Sequence, residues 1–297
     1  MTKFYLILAT LQRRKELNNF LKSLNEQTYK NFELIVVDQN DRISINDIVT
    51  KYTKLFPIHH IKMKEKGLSL ARNVGIKFFK DNIICNKEMI VAFPDDDCEY
   101  PPKLLENVYN IFKEKKEYQI ITGISIDRNK YVISSGKFGK RSSKINYSNI
   151  FKTAISYTIF IKFSNKEEIP FFDEKLGIGT FFGSSEETDY IYLLLKRGYK
   201  GFYYPEKIFV YHPIKELNFD NQKNLERVYN YSLGMGAFYK KHLIKDKNIA
   251  LISSFFKYFL IRPIGGMILG LLKFNVNMLK FYKQIFIGRW KGLVKYE

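Results

Sequence analysis

The sequence is short of cysteine, of acids and of the glycine patterns that mark common phosphate-binding loops, and each shortage excludes something. Only Cys85 and Cys98 are present, too few for a disulfide scaffold. A reducing, cytosolic setting is the simple expectation. Against 49 Lys and Arg stand 30 Asp and Glu, a formal net charge of +19. Such an excess points to anionic partners (membrane lipid, nucleic acid or phosphorylated substrate) and says nothing of the fold. No G-x-G-x-x-G follows the first apolar run, which argues against an NAD site. That run, "KFYLILAT", is too short for a signal peptide, and no small-residue cleavage site follows it. No internal repeat is present.

What is there is a core-forming chain: 297 residues, 45% hydrophobic and 16% aromatic, exclude global disorder. The pattern predicts a strand at 3–10, then a helix with Leu17, Phe20, Leu21 and Leu24 on one face. A second strand over 32–41 ends abruptly at Asp38, a helix over 44–55 follows, and "IHHIKM" reads as a short strand. A helix then opens at Gly67 and runs to 82, a strand covers 88–97, and Pro101 and Pro102 stand at the entrance of another helix. Strand and helix alternating in this way predict an α/β fold with a mostly parallel central sheet flanked by helices. Ligands of such sheets sit beyond the carboxyl ends of the strands. Two predicted strand ends carry acids there, Asp38 and the run Asp95, Asp96, Asp97. Residues 118–163 read as strands joined by a basic loop, 184–200 as a helix closed by Gly198, and "FVYHP" as the end of a strand.

Adjacent carboxylates suit a hard divalent cation such as Mg²⁺ or Mn²⁺, which prefers oxygen ligands and shares them with substrate phosphates. The plainer use of Asp95–Asp97 is to cap the helix after Pro101, for which one Asp would suffice. Asp38 alone is a weak signal; it can read a base or a sugar edge. In "SSEETDY", Glu186, Glu187 and Asp189 fall in a helix's first turn, where the dipole favours negative charge. Ser184 to Glu187 matches a capping box, and two neighbouring carboxylates equally suit a general base for a hydroxyl; the residues leave both open. His212, taken alone, reads as a satisfied surface histidine more readily than as a metal ligand.

From about residue 240 the chain changes character, with twelve Lys or Arg against Asp246 and Glu297. Within it "FFKYFLIRPIGGMILGLLKF" is apolar but broken by Lys257, Arg262 and Pro263, so it is expected to lie in a membrane interface, cations toward anionic headgroups. A helical pair packed on the domain is the alternative. The expected division is a catalytic-type domain over 1–220 and a basic helical extension over 221–297.

Together "TLQRRKELNNFLKSLNEQTYKNFELIVVDQND", "KGLSLARNVGI", "VAFPDDDCEYP", "FDEKLGIGTFFGSSEETDYIYLLLKRGY" and "YYPEKIFVYHP" resemble the inverting family 2 glycosyltransferases of GT-A fold, in order and spacing over roughly residues 1–215. The resemblance implies contacts to a donor nucleotide from Thr10, Asp38, Asn40 and Arg72. It gives Asp95 and Asp97 as the ends of a D-x-D motif, with Asp97 and Asp95 toward the metal and Asp95 or Asp96 toward the ribose or donor sugar. It places Glu187 at the base carboxylate, Glu186 beside it, and His212 as a histidine completing the metal shell. It further implies a nucleotide-diphosphate sugar donor, Mn²⁺ or Mg²⁺, and direct displacement with inversion. With the basic tail, it implies a saccharide acceptor linked to polyprenyl diphosphate, in capsule, O-antigen or related surface-polysaccharide assembly. The enzyme would then sit peripherally on the inner face of the cell membrane. Two departures stand out: "DQND" replaces the common Asp-Asp-x-Ser, and Glu187 replaces the usual Asp. A sugar nucleotidyltransferase would normally need a glycine-rich loop that "LATLQRRKEL" lacks. A basic nucleic-acid binder would show basic residues interleaved with aromatics around a groove, so no nucleic-acid partner is expected. The aromatic-rich stretch 225–240 offers a surface for a homodimer.

Overall fold

The computed structural model describes residues 1–85, 87–134, 138–214, 219 and 221–297. By internal contacts the chain divides into two units. The first comprises Met1–Asn146, Ile150–Phe171 and Leu193–Lys215; the second comprises Tyr147–Asn149, Phe172–Tyr192 and Glu216–Glu297. The boundary expected at residue 220 falls on residues outside this description.

The first unit is built on β1 (Lys3–Thr10), α1 (Arg14–Asn25), β2 (Phe32–Asp38), α2 (Asn46–Thr53), β3 (Ile58–Lys62), α3 (Leu68–Asn82), β4 (Met89–Ala92) and α4 (Leu104–Glu114). Short strands follow: β5 (Ile120–Thr122), β6 (Ile124–Ile126), β7 (Ser143–Ile145), β8 (Phe160–Phe163), β9 (Gly201–Tyr203) and β10 (Phe209–Tyr211). The main sheet has the order β3-β2-β1-β4-β8-β5-β9-β7. Its β3, β2, β1 and β4 are mutually parallel, while β8 runs antiparallel to both of its neighbours. β1 is apolar on both faces because both are covered, as a parallel sheet requires. Phe4, Leu6 and Leu8 join a core with Leu17, Phe20, Leu21 and Leu24 of α1 and Leu105, Val108 and Phe112 of α4. On the other face, the Tyr5 ring packs 4.5 Å from that of Phe79 in α3.

One sequence expectation is corrected here and another is refined. β4 stops at Ala92 instead of running to 97, because Pro94 has no N–H to give a ladder. Asp95 therefore sits in a turn, joined to Ala9 by an isolated bridge. The segment "FVYHP" ends a strand as expected, but β10 pairs in parallel with β6 in a separate two-stranded sheet. Gly123 is the switch between β5 in one sheet and β6 in the other. A Cβ there would lie 2.1 Å from the Ile208 carbonyl oxygen.

The second unit is helical: α5 (Glu186–Lys196), whose residues through Tyr192 belong here, α6 (Gln222–Tyr239), α7 (Ile252–Ser254), α8 (Arg262–Leu272) and α9 (Val276–Lys295). Two π-helical turns, Lys240–Lys245 and Phe255–Ile261, extend α6 and join α7 to α8. α6 and α9 touch backbone to backbone at Gly236, where a Cβ would meet the Arg289 carbonyl oxygen at 2.1 Å. Asn275 caps α9 by accepting a hydrogen bond from the Met278 N–H at 2.8 Å.

Gly123→Ala is expected to cost about 3 kcal/mol, the upper end of overpacking penalties, since the obstacle is backbone and cannot rotate away. Urea unfolding checks this; an unshifted midpoint would show that β6 and β10 move apart freely.

Candidate active site

The three aspartates that follow β4 are each held differently. Asp95 accepts a hydrogen bond from Nη2 of Arg72 at 3.0 Å, and Ser156 Oγ lies 3.4 Å from its other oxygen. Arg72, on α3, is fully buried, while Asp95 keeps part of its surface exposed. Asp96 is buried and accepts from Thr10 Oγ1 at 2.8 Å and from Arg13 Nη1 at 2.9 Å. Arg13 also reaches Oδ2 of Asp97 at 2.5 Å. Burial pushes the Asp96 carboxyl up to about 6; Arg13 and Thr10 oppose this, while Asp97 and Asp95 add to it. A carboxyl raised in this way favours the fold most at low pH and loses that contribution as pH rises through 6. At neutral pH its charge is a cost that nearby cations relieve.

Asp97 points elsewhere. Its Oδ1 lies 3.3 Å from Nε2 of His212, a side chain only 1% exposed that follows β10. The other ring nitrogen, Nδ1, is 2.7 Å from the Pro213 carbonyl oxygen. A carbonyl only accepts, so Nδ1 carries a proton, and in the neutral ring Nε2 then presents its lone pair. That Nε2 is buried without a hydrogen bond. A lone pair facing a carboxylate oxygen calls for a cation between them, and a histidine whose far N–H is fixed on a carbonyl is the usual form of a metal ligand. The Tyr157 ring stacks on the imidazole at 4.8 Å and 5°. A cleft of about 240 Å³ opens here, lined by Asp97, Glu99, Asp127, Arg128, Tyr211 and His212 among others. Among the described residues no cluster of three or more His, Cys, Asp or Glu has metal-ligand geometry, so a cation held by Asp97 and His212 would need further oxygens from its surroundings.

Asp38, at the end of β2, is fully buried. Its Oδ1 accepts from the backbone N–H and from Nδ2 of Asn40 at 2.9 and 2.7 Å. Its Oδ2 faces His60 Nε2 at 3.0 Å and Lys62 Nζ at 3.2 Å. Burial pushes this carboxyl up, but Asn40, His60 and Lys62 together outweigh burial and hold it below the usual carboxylate range. Asn40 in turn accepts from the Gln12 N–H at 2.6 Å. Beside them lies a cleft of about 390 Å³ lined by Leu11, Gln12, Asn40, Asp41, Arg42, Ile43 and Lys66. Arg13, His60, Lys62 and Ser156 were absent from the sequence reading. Strand parity held a signal for two of them, since Asp38 pairs in register with Lys62, and His60 lies two residues before it on the same face.

In the second unit Glu186 is buried and Glu187 partly buried at the start of α5. At the candidate capping box, the Ser184 hydroxyl is engaged across the unit. The first helical bond runs from Asp189 N–H to the Ser185 carbonyl, and the Ser184 hydroxyl donates to the Tyr231 carbonyl at 2.7 Å. Ser185 takes a positive φ of 72°, which starts the helix one residue late. Asp189, fully buried, anchors that turn through Lys241 Nζ at 2.9 Å and His242 Nε2 at 2.5 Å. Lys241 also reaches Asp173 at 2.6 Å, and His242 Nδ1 reaches Asp246 at 2.9 Å. Burial lowers the Lys241 pKa, yet Asp189 and Asp173 more than compensate and leave it raised.

A mostly parallel sheet with a carboxylate–histidine pair and a second polar cleft beyond its strand ends defines an α/β protein of the ligand-binding class. Residues 5–172 match the family described as "Glycosyl transferase family 2", and the chain belongs to that family. It is 26% identical over 165 residues to the poly(ribitol-phosphate) beta-N-acetylglucosaminyltransferase TarP of Staphylococcus aureus (strain N315), a match covering 54% of this chain and 48% of that protein. The chain spans about half the length, or less, of the curated relatives it matches. Among solved structures it resembles S. aureus TarS 1–349 in complex with UDP-GlcNAc, with a TM-score of 0.56 and 15% identity over 97% of this chain and 93% of that one. It also resembles the mannosyltransferase PcManGT from Pyrobaculum calidifontis in complex with GDP-Man and Mn²⁺, with a TM-score of 0.62 and 13% identity over 99% of this chain and 88% of that one. These likenesses confirm the GT-A fold expected from the sequence.

Asp38→Asn is expected to lower stability by about 3 kcal/mol at neutral pH, because it leaves His60 and Lys62 facing an uncharged amide. A depressed carboxyl contributes stability above its unfolded pKa and loses it as pH falls through the folded value, here below 3.8. Urea midpoints between neutral pH and pH 3 should therefore fall more steeply for the wild type than for the variant. Parallel curves would mean that Asp38 is not the depressed group.

Proposed function

We propose that the chain is an inverting glycosyltransferase. It moves a sugar from a nucleotide-diphosphate sugar to a hydroxyl of a saccharide acceptor, in the assembly of a bacterial surface polysaccharide. Family membership supports the reaction class, and the Asp97–His212 pair is the observation that carries the reading. Thr10, Asp38, Asn40 and Arg72 serve the donor pocket in this reading. Asp95 and Asp96 lie toward the ribose or sugar, with Asp95 a further candidate toward the cation. Asp97 and His212 would hold Mn²⁺ or Mg²⁺. An ion held by these residues would supply charge neutralisation for the diphosphate leaving group. Glu187, or its neighbour Glu186, accepts the proton of the acceptor hydroxyl. As the new O–C1 bond forms, the bond from C1 to the diphosphate oxygen breaks on the opposite face. The electron pair leaves with the nucleotide, and the anomeric configuration inverts. The acceptor is read as a saccharide on polyprenyl diphosphate, and the basic tail as a peripheral anchor on the inner face of the membrane. That tail contains Ile249–Leu272, which is long and apolar enough to cross a membrane by length and composition. A homodimer through 225–240 belongs to the same reading.

A panel of nucleotide sugars, scored for transfer and for donor hydrolysis, tests the class; turnover of none would remove it, and pyrophosphate release from a nucleoside triphosphate would favour a nucleotidyltransferase. Asp97→Ala is expected to lower transfer about 10³-fold, as loss of a main electrostatic stabiliser does. Glu187→Gln should lower it about 10²- to 10⁴-fold while donor binding by calorimetry stays intact. A near-wild-type Glu187→Gln with an inactive Glu186→Gln would move the base to Glu186. After chelation, Mn²⁺ should restore activity at lower concentration than Mg²⁺, because imidazole nitrogen suits Mg²⁺ poorly.

A further inference from the structure

Arg289 of α9 is a buried charge that no acid among the described residues answers. It is 5% exposed. One Nη1 hydrogen bond goes to the Tyr258 carbonyl, Nε is buried without any, and among the described residues no carboxylate pairs with it. Burial, then the like charge of Arg262, pushes this guanidinium down to about 9. Chains seldom keep an arginine dry with a second arginine for company, since an isolated buried charge demands an anion or a full set of acceptors. The planar guanidinium fork matches a phosphate.

The surroundings say which phosphate. Along α8 and the residue before it, Ile261, Ile264, Ile268 and Leu272 recur at helical spacing and are 65%, 40%, 51% and 71% exposed. Phe274, in the turn to α9, is 95% exposed, and Trp290, next to Arg289 in sequence, is 43% exposed. Residues 240–297 carry twelve Lys or Arg against two acids. A free phosphate would use the arginines and leave the apolar stripe in water. A phospholipid uses both, and tryptophan favours that boundary.

Building on the membrane reading above, we propose that the second unit binds the phosphate of an anionic membrane phospholipid at Arg289. Arg262 stands beside the phosphate, and the Ile261–Ile264–Ile268–Leu272 stripe lies against the acyl chains.

Flotation of the full chain with phosphatidylcholine vesicles, alone and with about a third phosphatidylglycerol, reads this directly. Wild type is expected to float with the anionic vesicles, and Arg289→Met to bind them about tenfold more weakly. Ile264→Ser combined with Ile268→Ser should weaken binding to both vesicle types. Arg289→Met should unfold at the same temperature as wild type or higher without lipid, since it removes an unpaired buried charge. If that variant does not fold, Arg289→Lys takes its place; it keeps the charge but not the fork, and several-fold weaker binding is expected. Wild type failing to float with either vesicle would overturn the membrane reading and this proposal with it. Flotation of wild type with equal flotation of the Arg289 variants would overturn the arginine assignment alone. Release of wild type from anionic vesicles by millimolar glycerol 3-phosphate would assign the site to free phosphate and overturn the lipid.

Discussion

Three neighbouring carboxylates crowd one turn, and the first unit is arranged around them. Two unit charges 4 Å apart repel by about 4 kcal/mol at the effective dielectric of a protein surface. The chain meets this by giving each aspartate a partner from a different element. Arg72 comes from α3, Thr10 from the end of β1, Arg13 from the approach to α1, and His212 from beyond β10. These elements are far apart in sequence and meet only because the sheet order brings β1, β4 and β8 side by side. The acidic turn is thus a property of the whole unit. Asp97 alone among the three faces a histidine nitrogen that has no hydrogen bond of its own.

Much of this frame was legible. A run such as "KFYLILAT" has one reading in a chain of this composition, and the order of strand and helix fixed a mostly parallel sheet. The positions of Asp38 and Asp95–Asp97 at strand ends followed from the same alternation. What could not be read was pairing at a distance. Arg13 is one of two adjacent arginines in a basic chain, and nothing in "LQRRKEL" marks it as the bridge between Asp96 and Asp97. Taken alone His212 looked ordinary, and only the family resemblance singled it out, because its contacts to Pro213 and to the carboxylate opposite are products of tertiary structure. The split of "QIITGISID" between two sheets likewise depends on how closely Ile208 approaches Gly123.

The second unit was harder to foresee for a related reason. Its acids and bases look like surface charge in sequence, yet Asp189 and His242 are both fully buried. Lys241 and His242, consecutive in the π-helical turn at 240–245, both reach the Asp189 carboxylate. Periodicity arguments assume 3.6 residues per turn, so they do not anticipate a π-helical turn there. The same turn ties Asp189 down and with it the first turn of α5, where Glu186 and Glu187 stand. Buried ion pairs contribute rigidity there.

The departure "DQND" acquires a physical meaning from these contacts. Both oxygens of Asp38 are engaged, one by Asn40 twice and the other by His60 and Lys62. A carboxylate so saturated has little capacity left for a further donor. Its effect on the neighbouring cleft is transmitted instead through Asn40, whose own oxygen fixes the Gln12 backbone. Gln12 adopts a positive φ of 60°, a conformation that a non-glycine residue keeps only when its surroundings hold it there. The polar residues lining this cleft are therefore Gln12, Asn40, Asp41, Arg42 and Lys66, with Asp38 held behind Asn40.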